Sequence, residues 1–319
     1  MNVSNVFETF SELDELAEQL EDDDAGLRHV TVLQLGETAD PNAVPLLRKA
    51  IQDSSEGVRQ QAALALGNFD GPTVSEALVI GLRDSSQVVA DASATSLCEL
   101  KDPEAAVAIY PLLESESEYV RSAAFNGLKE LRNPDSLRPA INAMNDEAAS
   151  VRSAAVGVIG WLQSDDSLPA LIAATRDESA EVRRIAVSAL GFSRQPAAGE
   201  AIVRGLSDSN WQVRECAAET TAKAKVYSAV ASLRLCLTDD YWQVRVKAVR
   251  SLGKVGDASV IDPIGELIDS TIPNLRKECA AALGEIGDAR ASPYLRQIKD
   301  DPDPDVRKTA RWALDRLGG

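Results

Sequence analysis

The sequence repeats itself every 31 residues. A hydrophobic residue, followed in nine of ten cases by arginine, recurs ten times at this interval without an insertion or deletion, from Leu27-Arg28 to Val306-Arg307. Only Ala90 replaces the arginine. A fixed period of about 20–50 residues is typical of a solenoid, because each unit is too small to bury its own apolar face and must stack on its neighbours. The period therefore predicts one continuous repeat array.

Each repeat carries two patterns of helical spacing. We count from the hydrophobic residue that precedes the arginine as position 0. Positions 4 and 8 are then mostly small and aliphatic, as in Ala62 and Leu66, and a second aliphatic position recurs eleven residues before position 0, as in Leu47. Residues four apart share one face of an α-helix. Dipeptides such as Asp40-Pro41 predict the start of the first helix, as an N-cap followed by a first-turn proline. Each unit is therefore predicted to be a helical hairpin.

The predicted fold is all-α, a single solenoid over residues 1–319 built from ten helical hairpins. Glycine at position 9 of six repeats is expected to end the second helix in a left-handed C-cap. An apolar stripe that includes Phe7 and Phe10 is expected to let the first helix cap the array. The predicted repeats are residues 9–39, 40–70, 71–101, 102–132, 133–163, 164–194, 195–225, 226–256, 257–287 and 288–319.

Opposite charges occupy two fixed positions of the repeat. Aspartate stands five residues before position 0 in eight of the ten units, and arginine stands one residue after it in nine. A row of arginines of this kind could grip an anionic ligand. Alternatively, each aspartate caps a turn and pairs with an arginine of a neighbouring repeat, which would fix how the repeats stack. The pattern favours this Asp–Arg ladder, because a ligand site would not need to be remade ten times.

Composition restricts the possible chemistry. The net charge is −17 with a pI near 4.6, which argues against a nucleic-acid groove. Residues 1–150 hold 27 acidic and 10 basic side chains, whereas residues 151–319 hold 23 of each. The four cysteines form no CxxC pair, so they are expected to be reduced thiols. No apolar run of about 18 residues and no signal-peptide pattern is found, so we expect a cytoplasmic protein without a membrane partner.

The repeat unit resembles HEAT repeats of the phycobilisome-lyase (E-Z) HEAT-like type. The unit DSSEGVRQQAALALGNFDGPTVSEALVIGLRD at residues 53–84 typifies it, and the resemblance extends over residues 9–319. It implies a right-handed α-α superhelix whose second helices line the concave side. Members of this superfamily include bilin lyases, bilin-binding degradation factors, deoxyhypusine hydroxylase and scaffold or assembly proteins. The hydroxylases bind two irons through His-Glu pairs. With His29 as its one histidine, this chain cannot supply such ligands, and a metal site is not expected.

Aromatic and basic residues mark a candidate binding patch in the later repeats. Tryptophan stands two residues before position 0 in two adjacent repeats, at Trp211 and Trp242, and lysines and arginines follow the second of them. The alternative is that each tryptophan covers the turn between its two helices. The predicted partner-binding residues are Trp161, Trp211, Tyr241, Trp242, Arg245, Lys247, Arg250, Lys254 and Trp312.

The sequence favours a non-catalytic protein–protein interaction scaffold or assembly factor that binds a partner protein on its concave face. The partner is unidentified, and an enzyme encoded nearby is one candidate; no cofactor, nucleic acid, membrane or metal is expected. The alternative is a phycobilin lyase or bilin-binding chaperone, in which Trp161, Trp211 and Trp242 would contact an open-chain tetrapyrrole and arginines its propionates.

Overall fold

The structure is a computed structural model, and it describes residues 13–318. Within this range the chain is α-helical, with short 3-10 helices and turns and no β-strand, so the predicted all-α class is confirmed. The chain groups into two compact units, Met1–Leu162 and Gln163–Gly319. Phe7, Phe10 and the first residues of the predicted repeat 9–39 lie outside the described residues. That the ten repeats form one array stays a prediction.

The helices alternate between first and second members of hairpins. Residues 13–19 are helical and are called α1. The helices that follow are α2 (Ala25–Glu37), α3 (Val44–Ala50), α4 (Glu56–Leu66), α5 (Pro72–Leu82), α6 (Gln87–Leu97), α7 (Ala106–Ile109), α8 (Glu118–Leu131), α9 (Leu137–Asn142), α10 (Ala149–Leu162), α11 (Leu168–Ala174), α12 (Ala180–Ala189), α13 (Pro196–Gly205), α14 (Trp211–Ala224), α15 (Val230–Cys236), α16 (Trp242–Val255), α17 (Ile261–Gly265), α18 (Pro273–Ile286), α19 (Ser292–Gln297) and α20 (Pro304–Arg316). Odd numbers are first helices and even numbers are second helices.

Second helices pack on one another within each unit. Each second helix contacts the next one of the same unit along the chain. These helices are α2, α4, α6, α8 and α10 in the first unit and α12, α14, α16, α18 and α20 in the second. The residues at positions 0, 4, 5 and 8 form the core, as Val58, Ala62, Ala63 and Leu66 show by being fully buried. None of the helices in residues 13–318 has the length and apolar character needed to cross a membrane.

The first helices begin where the sequence predicts. Asp40, Asp102 and Asn133 are N-caps whose side chains accept a hydrogen bond from the backbone N–H two residues on. Each is followed by proline and one 3-10 turn that leads into the α-helix. The Asp/Asn-Pro dipeptide therefore fixes this end of the hairpin.

The glycines at position 9 do not act as predicted. None of the six has a positive φ, so the expected left-handed C-cap is wrong. Gly253 and Gly284 allow close approach of neighbouring second helices instead: a Cβ on Gly253 would lie 2.7 Å from the Cα atom of Ala282, and one on Gly284 would lie 2.7 Å from the Cβ atom of Ala313. The left-handed residue comes three positions later. It is found at Ala39, Arg132, Gln163, Lys225, Gly256, Gly287 and Gly318.

The Asp–Arg ladder is confirmed within each unit. In the rung between Arg59 and Asp84, Nε donates to Oδ2 at 2.6 Å and Nη2 donates to Oδ1 at 3.1 Å, while Nη1 donates to the Asp53 carbonyl of its own repeat at 2.9 Å. The guanidinium therefore ties a turn of one repeat to the carboxylate of the next, and it lowers the pKa of Asp84. Equivalent rungs join Arg28 to Asp53, Arg121 to Asp146, Arg183 to Asp208, Arg214 to Asp239 and Arg276 to Asp301.

Two places in the ladder lack a carboxylate. At one, Ala90 replaces the arginine and Ser115 replaces the aspartate of the following repeat, so both partners are missing together. At the other, Arg245 is present but its aspartate position holds Ser270. Arg245 keeps the carbonyl contact, with Nη1 donating to the Asp239 oxygen at 3.2 Å. Its Nε atom is buried without a hydrogen-bond partner.

Candidate protein-binding surface

The best-defined element of the predicted patch is an aromatic pair at the start of two second helices. Trp211 is the first residue of α14, held by its N-cap Asn210, whose side chain accepts the Gln212 N–H at 2.9 Å. Tyr241 is the N-cap of α16. Their rings stack with centroids 5.0 Å apart and planes 9° apart. Such a pair is worth about 0.5–1.5 kcal/mol beyond the area it buries.

The stacked pair also covers a ladder rung. The Arg214 guanidinium carbon lies 6.0 Å from the centroid of the Tyr241 ring, while the same guanidinium holds Asp239. Trp211 is partly buried against the core of the second unit. This geometry matches the turn-packing alternative for Trp211, whose removal should therefore affect folding. A binding role for Trp211 stays a prediction.

Tyr241 and Trp242 expose aromatic surface beside this pair. Tyr241 is 44% exposed and Trp242, the first residue of α16, is 36% exposed. Because aromatic side chains bury large areas and are enriched in interface cores, exposed rings at the start of a helix suit protein recognition.

The basic residues that follow Trp242 are largely neutralised by neighbouring helices. Lys247 Nζ lies 2.9 Å from Glu219 Oε2 of α14. Arg250 forms a bidentate pair with Glu278 of α18, at 2.9 and 2.6 Å. These contacts lower the pKa of Glu219 and raise that of Arg250. Lys254 is exposed and makes no ion pair within residues 13–318. The exposed side of α16 is therefore a mixed-charge surface.

The remaining predicted residues lie apart from this cluster. Trp312 on α20 packs on Gly284 of α18, is 44% exposed and has the Arg316 guanidinium carbon 5.8 Å from its ring centroid. Trp161 belongs to the first unit, where Arg132 and Lys129 lie 4.6 and 5.7 Å from its ring centroid. All three contacts are cation–π interactions.

The structure thus joins only some of the predicted site residues. Trp211 and Tyr241 are in contact, and Trp242 is next in the chain. Lys254 is twelve residues further along α16, about 18 Å at 1.5 Å per residue. Arg245 is half-buried at its ladder position. Glu219 and Glu278, the ion-pair partners of Lys247 and Arg250, are not among the predicted site residues. In each of these two ion pairs the opposite charges are 28 residues apart in the sequence.

No catalytic constellation is evident in residues 13–318. Within that range no group of three His, Cys, Asp or Glu side chains is placed to hold a metal ion. The four cysteines are free thiols, as predicted. Burial raises the pKa of Cys236 to about 11 and that of Cys98 and Cys216 above the usual range, so these sulfurs are poor nucleophiles.

The family pattern for HEAT repeats matches nearly the whole sequence. The matched segments are residues 13–98, 75–142, 107–190, 137–222, 171–241 and 230–315. The chain belongs to the HEAT-repeat family. No curated protein sequence is matched.

Solved structures share the fold at low sequence identity. A crystal structure of an engineered protein is 19% identical with a TM-score of 0.52, covering 97% of this chain and 99% of that one. A chain from the structure of Kap95p with RanGDP is 15% identical with a TM-score of 0.64, and the match covers 98% of this chain and 52% of that one. YibA of E. coli is 19% identical with a TM-score of 0.51, covering 93% and 99%. At these identities the likeness concerns the fold.

Proposed function

We propose that this HEAT-repeat protein is a non-catalytic interaction scaffold or assembly factor. It binds a partner protein on the side formed by its second helices, the concave side that the family resemblance implies. The observation that carries the proposal is the exposed aromatic surface of Tyr241 and Trp242 at the start of α16. Trp312 on α20 adds a third exposed ring in the same unit.

The chemistry of this surface favours a protein over a small ligand. Tryptophan, tyrosine and arginine dominate the binding energy of protein interfaces. The ion pairs of Lys247 and Arg250 leave a surface of balanced charge that suits specificity and orientation more than strong attraction of one charge sign. HEAT solenoids commonly bind proteins, and the Kap95p neighbour is described with the protein RanGDP.

Within the family, we assign the chain to the phycobilisome-lyase type on the strength of its 31-residue unit. This assignment keeps bilin handling as the alternative function. An enzyme encoded near this chain remains the proposed class of partner, and the residues proposed to bind it are Trp161, Trp211, Tyr241, Trp242, Arg245, Lys247, Arg250, Lys254 and Trp312.

Affinity capture from the source cell extract tests the proposal. The wild-type chain is compared with a Tyr241→Ala/Trp242→Ala variant, and bound proteins are quantified by mass spectrometry. Leu235→Ala is the matched control, because Leu235 is also an exposed apolar side chain but lies on the first helix α15, outside this surface. The proposal expects one protein to be enriched by the wild type and the control and lost in the double variant. A partner retained equally by all three proteins would refute the proposed surface.

A further inference from the structure

A second surface of the second unit has the properties of a binding cleft. An open cleft of about 530 Å³ lies between α13 with the loop before it and the turn that joins α14 to α15. α14 runs from Trp211 to Ala224, so this turn is about 20 Å along the helix from the tryptophan-bearing start. The cleft therefore shares no residue with the surface proposed above.

The turn beside the cleft departs from the repeat design. Six first helices, α3, α7, α9, α11, α17 and α19, start at an Asp, Asn or Ser N-cap whose side chain accepts a hydrogen bond, whereas Gly71 and Gln195 before α5 and α13 make no such bond. Here the N-cap is Val226, an apolar residue that cannot make one. The next residue is Tyr227, where five other repeats have proline. Its side chain is 61% exposed. This helix start therefore lacks a side-chain capping bond, and the apolar side chains of Val226 and Tyr227 lie at the edge of the cleft.

The floor of the cleft is opened by a glycine. Gly199 is the fourth residue of α13, a position that holds larger residues such as Leu168 and Ile261 in other repeats. Glycine inside a helix is unfavourable. A Cβ here would lie only 3.3 Å from Val226 Cγ1, so Gly199 leaves room for Val226 and removes a side chain from the cleft.

Three cations and one acid surround this apolar floor. Arg194, Arg204 and Lys225 line the cleft together with Glu200. All four are exposed, and none makes an ion pair within the described part of the chain. By contrast, four other arginines of the same unit are paired with carboxylates, namely Arg183, Arg214 and Arg276 of the ladder and Arg250 of α16. The cleft therefore has uncompensated positive charge next to an exposed tyrosine.

We infer that this cleft docks an acidic segment of a partner protein that carries an apolar anchor residue. The anchor packs against Tyr227, Val226 and Val203, and carboxylates on either side of it pair with Arg204 and Lys225. A protein segment fits better than a small molecule, because the cleft is open and would leave much of a small ligand in water.

Fluorescence anisotropy with the full chain tests the inference. The probe is the fluorescein-labelled peptide Gly-Glu-Asp-Phe-Glu-Glu-Leu-Asp-Glu-Gly, compared with one peptide whose acids are all lysine and one whose Phe and Leu are serine. The wild type should bind the first peptide at least about tenfold more tightly than either other, with affinity falling as salt rises. Tyr227→Ala and Arg204→Glu/Lys225→Glu should each weaken it about tenfold or more.

The control variants locate the binding. Tyr241→Ala and Lys254→Glu change a matched tyrosine and lysine on the other surface and should leave peptide affinity unchanged, with circular dichroism confirming that every variant is folded. The inference is overturned if the wild type does not bind the acidic peptide or binds all three alike. It is also overturned if the cleft variants bind normally, or if they abolish self-association of the chain, which would make a second copy the occupant. These outcomes do not depend on the tryptophan-bearing surface, so they leave the proposed function intact.

Discussion

Replacing Ser270 by aspartate should stabilise the second unit by completing the ladder. Arg245 is held at its rung by the Asp239 carbonyl, with a buried Nε that has no partner. Ser270 already accepts the Ile272 N–H at 3.2 Å, as Asp208 accepts the Asn210 N–H at 2.9 Å in a complete rung. Aspartate can therefore keep the turn contact of Ser270 while it adds two charge-assisted hydrogen bonds to the guanidinium.

The size of the effect follows from the existing rungs. Their Asp side chains in this unit are 5–12% exposed, so the new bonds lie between surface and buried ion pairs. Hydrogen bonds to charged groups contribute about 1.5–3 kcal/mol, and exposed pairs contribute about 0.2–1 kcal/mol. Since Arg245 is already ordered, we expect Ser270→Asp to raise the free energy of unfolding by about 1–2 kcal/mol. At ~2–4 °C per kcal/mol, the melting temperature should rise by about 2–8 °C.

Ser115→Asp is the matched control. It introduces the same residue at the same position of another repeat, but the facing position holds Ala90 instead of arginine. It should give no gain, and Ala90→Arg/Ser115→Asp should recover stability that neither single change supplies. Circular dichroism melts and urea titrations at pH 7 measure the melting temperature and the free energy of unfolding of Ser270→Asp and of the Ala90 and Ser115 variants. Equal effects of Ser270→Asp and Ser115→Asp would refute the ladder reasoning.

The pH dependence supplies a further check. The arginine partner lowers the folded-state pKa of the equivalent Asp301. A carboxylate with a lowered folded pKa stabilises above its unfolded pKa of about 3.9, and this stability is lost as the pH falls through the folded value. The advantage of Ser270→Asp over the wild type should therefore persist at pH 7 and shrink below about pH 4. An advantage that is unchanged at pH 3 would point to a cause other than the ion pair.

Three further predictions concern packing and ligand class. Arg214→Ala should lower the free energy of unfolding by about 2–3 kcal/mol in urea titrations, because it leaves the nearly buried Asp239 without its partner; an effect below about 0.5 kcal/mol would contradict this. In thermal melts, Gly253→Ala should cost about 1–3 kcal/mol, since its Cβ would meet Ala282, whereas Gly157→Ala, next to only a flexible lysine, should gain up to about 1 kcal/mol; the reverse order would disprove the close-contact role of Gly253. Phycocyanobilin titrated with the chain should keep its visible spectrum, and a shift at micromolar concentrations would favour bilin handling over the scaffold.

Much of the fold can be predicted from the sequence, because ten repeats place the same residue types at the same offsets and so indicate the same local structure ten times. The Asp–Pro helix starts and the ladder depend on residues at fixed offsets, so the sequence period carries their geometry. The position-9 glycines were misassigned because a C-cap and a close helix contact both select glycine near a helix end. The backbone φ of these glycines and the spacing between Gly253 and Ala282 across two helices distinguish the two roles, and both are properties of the folded chain.

The candidate surface was less predictable. Tryptophan at two equivalent positions indicated an aromatic cluster, but the stacking of Trp211 on Tyr241 depends on ring orientations that no sequence offset encodes. The ion pair of Lys247 with Glu219 could be predicted from the sequence, since the two residues are 28 apart, the same separation as in the ion pair of Arg250 with Glu278. The cleft at Tyr227 combines two departures from the repeat pattern, Gly199 and Val226, and only the structure shows that these two residues lie next to each other.

Hydrogen–deuterium exchange on the complex with the captured partner tests the central claim most directly. If the chain is a scaffold that binds through its second helices, exchange should slow at the starts of α14 and α16, including Trp242, and along the exposed side of α20. Slowing confined to other helices, or no change in α14, α16 and α20 on saturation with the partner, would contradict the account.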